Sequence, residues 1–351
     1  MDTNNPTPPN DVTESTQAPV CAGCETPLTA ITGRTPLCAD CRNHFIRYPI
    51  PRWIWLFGGA VLLLLVFGLF RLPSGLAAAI HQKRGEHAMA EHRFVTAQHE
   101  LEVAVRMQPH YQEASLRLLI AAYHNEDLQT AYKCSQRLEG KEIKDEELLT
   151  EATTIVSRLN DGIPSDSLQA FFAQRTEAPD EIPEASWATY LANHPQELFA
   201  DFARAASAVN RKEYPLAERL LHGVLGMDPD YSRGLQLLVT AKREQLQFDS
   251  AFYYADRLLA LNRELPASYG SKARVLLKQK KDNAAFQLVQ EGLRYDARDP
   301  YCLATLALVH HFRGDFRNRD ALMRRAATDS TLQPQFSHVS EIVSGKETFR
   351  N

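Results

Sequence analysis

The chain has 351 residues, with 39 Lys and Arg against 43 Asp and Glu for a formal charge of −4, and is 44% hydrophobic. These are globular values, which exclude a mostly disordered chain, a collagen and a multi-pass membrane protein. The near-balanced charge excludes a dedicated nucleic-acid wrapper. Six cysteines, four of them within residues 21–41, are too few for a disulfide scaffold.

Residues 1–20 carry Pro6, Pro8, Pro9 and Pro19 among Thr, Asn, Ser and Asp. So little apolar surface cannot offset ordering entropy, and the spacing predicts a disordered tail. Within 21–45, Cys21-Ala-Gly-Cys24 and Cys38-Ala-Asp-Cys41 form two CxxC pairs. Each CxxC turn aims two sulfurs at one centre, and two such turns make a closed four-thiolate site for a structural Zn²⁺. The segment has no core of its own, so the metal would supply its folding energy. A thiol redox pair and two disulfides are the alternatives. The pattern resembles a zinc ribbon, although its gap is slightly shorter than the commonest spacing.

Residues 53–70 read WIWLFGGAVLLLLVFGLF, without charge or proline, between Arg52 and Arg71. At about 1.5 Å per residue the run spans roughly 27 Å, and it predicts one transmembrane helix with Trp53 and Trp55 in an aromatic belt. Pro73, Ser74 and Gly75 are expected to end that helix. Flanking arginines barely decide orientation. Thiolate chemistry favours a reducing compartment, which puts residues 1–52 in the cytoplasm and the remainder across the membrane, in the periplasm of a bacterium.

Beyond the span, apolar residues recur at spacings of three and four, and no stretch alternates with period two for long. A period of thirty-four residues runs through 76–140 and 201–332. One column reads Gly85, Leu119, Ala205, Val239, Ala273, Ala307; another reads Ala97, Ala131, Ala217, Ala251, Ala285. A third, before each second helix, reads Phe94, Leu128, Tyr214, Phe248, Phe316, and a fourth reads Ala104, Leu138, Val224, Leu258, Gly292, Ala326. Antiparallel helices approach closely only where one side is small, and Pro109 and Pro229 stop two second helices in equivalent places. The pattern resembles the tetratricopeptide repeat, in six units, which implies an all-α helical-hairpin solenoid that binds proteins or extended peptides. Asp282 stands where the fifth unit should carry an apolar residue, and Arg319 where the last should carry Ala. Residues 141–200 are an insert or worn-down repeat, with helices over 146–160 and 167–175 and an acidic, proline-broken loop at 177–184. Residues 333–351 are a C-terminal tail.

The nucleotide-binding and hydrolase motifs GxGxxG, GxxxxGK[ST] and GxSxG do not occur in the sequence, and no enzyme is indicated. Cys134 and Cys302 read as packing residues, and His81, His87, His92, His99, His110 and His124 as solvated helix faces. The resemblance places the binding groove on the first helices. Register mapping then gives Arg233, Gln236, Thr240 and Arg243 from one helix, Gly270, Arg274 and Lys278 from the next, and Tyr301, Ala304, Leu308 and His311 from the last. Four cations beside an aromatic suit an extended peptide carrying carboxylates; a solvated charged surface is the alternative. The expected function is a membrane-anchored interaction scaffold of the bacterial inner membrane. The alternative is a transmembrane regulator whose ribbon contacts nucleic acid or a transcription component.

Overall fold

A computed structural model describes residues 18–30, 34–46, 51–175 and 182–350; of residues 45–46 and 69–74 it describes the backbone alone. Most of the tail expected over 1–20, and most of the acidic loop expected over 177–184, lie outside the described residues. The chain divides into two compact units, 1–71 and 72–351. The first holds the cysteine pairs, α1 (Ala39–Ile46) and the beginning of α2 (Arg52–Ala90).

Among the described residues no helix is long and apolar enough to cross a membrane. This overturns the expected span over 53–70, and with it the single-pass inner-membrane placement with a cytoplasmic N-terminus and a periplasmic array. The membrane-spanning regulator loses the same premise. The physical reason is length. The apolar run of eighteen residues makes about 27 Å of helix, against a hydrocarbon core of about 30 Å. Nor does the helix end at Pro73, Ser74 and Gly75: α2 runs on to Ala90, and its last turns are polar.

The second unit is a stack of helical hairpins. The end of α2 packs on α3 (Phe94–Met107), and α4 (Gln112–His124) pairs with α5 (Leu128–Leu138). Then come α6 (Glu146–Asp161), α7 (Asp166–Ala173) and α8 (Glu184–Asn193), the last of which the sequence did not disclose. Four further hairpins complete the array: α9 (Leu198–Asn210) with α10 (Tyr214–Met227), α11 (Ser232–Glu244) with α12 (Phe248–Leu261), α13 (Pro266–Lys278) with α14 (Asp282–Tyr295), and α15 (Pro300–Phe312) with α16 (Phe316–Thr328). Finally α17 (Gln333–Val343), within the stretch read as a tail, packs on α15 and α16 through Phe336, Val339 and Ile342. Asp127, Asp145, Ser165, Asp299 and Asp315 cap helix N-termini with their side chains.

The small-residue columns are the helix crossings. Ala97, Ala131, Ala217, Ala251 and Ala285 are all fully buried. A Cβ added to Gly85 would stand 2.6 Å from Leu101 Cγ, and one on Gly292 would stand 2.8 Å from Tyr269 Cβ. A further periodic feature lies in the backbone. The hairpin turns place His92, Glu126, Lys212, Leu246, Lys280 and Gly314 at φ between 58° and 74°, once per unit. Each turn closes with a bond five residues back, such as Asp127 N–H to Ala122 O and Gln247 N–H to Lys242 O, both 2.9 Å.

The insert lets the early hairpins lie against the later ones. Glu264, 4% exposed in the α12–α13 connection, accepts from the Thr96 backbone N–H at 2.7 Å, the Thr96 hydroxyl at 2.9 Å and Arg93 Nε at 3.0 Å. Arg93, the N-cap of α3, makes no side-chain cap, so Glu264 caps that helix from 168 residues away. Arg263 N–H donates to His92 O at 2.9 Å, and Asn262 Nδ2 to His124 O at 3.1 Å. The His124 ring stacks on Phe94 with centroids 4.4 Å apart. Burial first, and the Arg158 charge second, push its pKa down to about 4. For His124 this corrects the solvated-face reading.

Candidate functional site

The first pair of cysteines sits on a turn closed by an antiparallel bridge between Val20 and Pro27. Cys21 N–H donates to Thr26 O at 2.9 Å, and Glu25, at φ 57°, turns the chain. The second pair opens α1: Cys38 precedes it and Cys41 lies in its first turn. The expected ribbon is thus, among the described residues, one bridged turn facing one helix start. All four sulfurs lie within 4.8 Å of one another, and none is in a disulfide. A tetrahedral zinc with bonds of about 2.3 Å sets sulfurs about 3.8 Å apart, so the donor set fits. Gly23 is part of the cradle, because a Cβ there would meet Cys41 Sγ at 3.2 Å.

Backbone donors prepare the charge. Cys38 N–H points at Cys21 Sγ at 3.2 Å and Cys41 N–H at Cys38 Sγ at 3.4 Å. The Cys38 and Gly23 N–H groups bring Cys21 down to about 6, while the adjoining Cys24 and Cys38 sulfurs push Cys41 up to about 12. Were all four ionised, a cation between them would relieve their mutual repulsion.

The basic residues expected in the groove fall into two places. Arg243, Arg274 and Tyr301 line a cleft of about 520 Å³, and Lys278 stands beside it, bonded to the cleft residue Glu244 and near the Phe349 ring. Arg243 is 3% exposed and Arg274 6%. Arg243 Nε donates to Glu244 at 2.8 Å, and Lys278 Nζ reaches the same carboxylate at 2.6 Å. Arg274 Nε donates to Thr305 Oγ1 at 2.9 Å, and its guanidinium lies 4.0 Å over the Tyr301 ring. Gly270 makes this possible, since a Cβ there would meet Tyr301 Cδ1 at 2.8 Å. Arg243 Nη1 and Arg274 Nη2 are buried without a hydrogen-bond partner among the described residues. Burial pushes the Tyr301 phenol up, but the Arg274 and Arg243 charges outweigh it and hold it below the usual value.

Arg233 and Gln236 do not join them. They lie toward the other end of α11, about 10–15 Å along the axis. Arg233 lies 4.7 Å over the Phe202 ring, and Gln236 donates to Glu126 at 3.4 Å. With Tyr123, Arg158 and Tyr231, Arg233 lines a separate cavity of about 350 Å³ where the early hairpins meet α11. Burial raises the Glu126 carboxyl there. Periodicity put all these residues on one helix face, but the early hairpins cover one end of it.

The cleft has a second wall that register mapping missed, made by α17 and by Glu347, Thr348 and Phe349 beyond it. Lys278 Nζ donates to Phe349 O at 2.5 Å, and Arg350 pairs with Asp282. The departure at Asp282 from the apolar column was the signal for this wall.

No family model matches the chain, and no curated protein matches it. Among solved structures it is similar to a tetratricopeptide repeat protein from Parabacteroides merdae, at 12% identity over 74% of this chain and 97% of that one, TM-score 0.39. It is also similar to pilF of Pseudomonas aeruginosa, at 13% identity over 75% of this chain and 97% of that one, TM-score 0.31. The assignment of a helical-hairpin solenoid rests on the hairpins themselves.

Proposed function

We propose that the array is a non-enzymatic protein-interaction scaffold. It takes an extended, carboxylate-bearing peptide against Arg243, Arg274, Lys278 and Tyr301, and the cysteine centre holds one structural Zn²⁺. The observation that carries the groove reading is the pair of buried guanidiniums, each with an Nη lacking a partner in an open cleft. A buried charge with unmade hydrogen bonds is costly, and a carboxylate relieves that cost with charge-assisted bonds. Burial raises Cys302 and pushes Cys134 up to about 11, which takes these two thiols out of a nucleophile's range. For the metal, Cys21, Cys24, Cys38 and Cys41 are the ligands, and the ion would neutralise and staple the thiolates without an open position for substrate.

Because both arginines are buried, their removal also loosens the hairpins, so the test uses ligand charge as well. Labelled peptides carrying Glu, or Gln at the same positions, are titrated against the full chain and against Arg243→Gln, Arg274→Gln. The Glu peptide should bind at least about tenfold tighter, the equivalent of one charge-assisted bond, and the difference should vanish in the variant. Equal binding of both peptides to the unaltered chain overturns the reading.

A further inference from the structure

Residues 344–350 reach the groove by a device that ends α17. Gly345, at φ 77°, donates its N–H to Ile342 O at 3.1 Å, and Lys346 N–H returns to Glu341 O at 2.9 Å. This left-handed cap stops the helix and turns the chain back. Residues 347–350 are held differently from a repeat helix. Glu347 pairs with Lys212 and with His338, both at 2.9 Å. The Phe349 carbonyl accepts from Lys278, and its ring, 5% exposed, lies 5.1 Å from Lys278 Nζ and 5.6 Å from the Arg243 guanidinium. Arg350 forks onto the Asp282 carboxylate, donates to Leu277 O at 2.7 Å and lies 4.0 Å over Phe312. One buried ring, two ion-paired positions (Glu347 and Arg350) and a main-chain carbonyl are how a groove holds a peptide. The interdigitated apolar rows of the hairpins are absent here.

The fit is incomplete. Thr348 lines the cleft but brings no carboxylate, and among the described residues Arg274 has no carboxylate within ion-pair distance. We propose that 344–350 is a resident, displaceable ligand of the groove, and that the partner is a peptide of the same chemistry with one more acid: a carboxylate at the Glu347 place, an acid at the Thr348 place, an aromatic, then a cation. This rests on the groove reading above and specifies its ligand. The partner wins the groove by giving Arg274 and Arg243 the anion that the resident segment lacks.

The probe is a labelled peptide of residues 344–350, SGKETFR, and the same peptide carrying Thr348→Glu. Each is titrated into the full chain, into the chain truncated after Val343 and into full-length Phe349→Ala, which keeps α17 intact. The peptide should bind the truncated chain and Phe349→Ala at least about tenfold tighter than the full chain. The Thr348→Glu peptide should bind tighter again, and Asp282→Asn should weaken both. Equal affinity for the full chain and Phe349→Ala overturns the inference, as does no binding to a truncated chain that melts like the full one. If the Glu-over-Gln preference persists while these variants change nothing, the groove still takes acidic peptides and only the resident-ligand inference falls. If that preference is also absent, both fall.

Discussion

The cysteine centre and the basic groove hold charged groups together by opposite means. The first gathers four like side chains from a segment of about twenty residues, and the proposed zinc would supply the force that reconciles them. The second uses Arg243, Arg274, Lys278 and Tyr301 from three helices, and rigid hairpins hold them together whether or not a partner is present. The proposed zinc would make the first site a folding device, and the proposed peptide would meet the second as a preorganised surface whose cost is borne by the array.

The largest effect should separate the two at once. The full chain should carry one zinc by metal analysis, and chelation or Cys24→Ser should remove it, with an apparent binding energy of about 10 kcal/mol or more. The melt of the helical array should stay where it was. A zinc-free reduced chain sinks the metal assignment, and an array that melts with the metal erases the contrast.

Acid should reach the array by a different route. His124 is held neutral at about 4 against an ordinary 6.5, so its contribution is full above pH 6.5 and is lost as pH falls toward 4. The whole shift amounts to roughly 3 kcal/mol, about 2 of it gone by pH 5. Urea unfolding at pH 7 and pH 5 should show that slope in the unaltered chain and a flatter one in His124→Gln. Parallel slopes would remove His124 from the account.

Close packing of α14 against the starts of α13 and α15 gives a smaller effect. Gly292→Ala drives a Cβ into Tyr269 and to 3.0 Å from Cys302 Sγ, and should cost about 1–3 kcal/mol in a denaturant melt. An unchanged midpoint would show that the hairpins give way easily. The smallest effect has the opposite sign. Leu246, exposed and at φ 61°, should accept glycine with a gain of up to about 1 kcal/mol, since L-residues are strained there. A lower melting temperature for Leu246→Gly would mean that its side chain serves the turn.

The hairpins were legible because each crossing imposes the same demand for a small residue, and that demand recurs in type as well as position. The left-handed turn is just as periodic and was invisible. His92, Glu126, Lys212, Leu246 and Lys280 share a backbone angle and no chemistry, and Gly314 alone shows it. The cysteine site could be read because its ligands are close in sequence. The groove was half legible: helical spacing put Arg233 and Gln236 in line with Arg243, but which part of a face stays open depends on hairpins more than a hundred residues away. Residues 344–350 could be read only as a mismatch at Asp282, an acid in an apolar column awaiting Arg350. The apolar run at 53–70 was read on composition, and the structure does not bear out the span.

The cap that Glu264 provides to α3 changes how the array comes apart. An open solenoid couples only nearest neighbours, so its ends can peel away unit by unit. Here a contact across 168 residues ties the first hairpin to the junction of the fourth and fifth. Peeling from the N-terminal end must break that tie before any later unit is freed, and refolding must close a long loop before the tie can form. The array should thus lose these five hairpins in one cooperative step and regain them slowly.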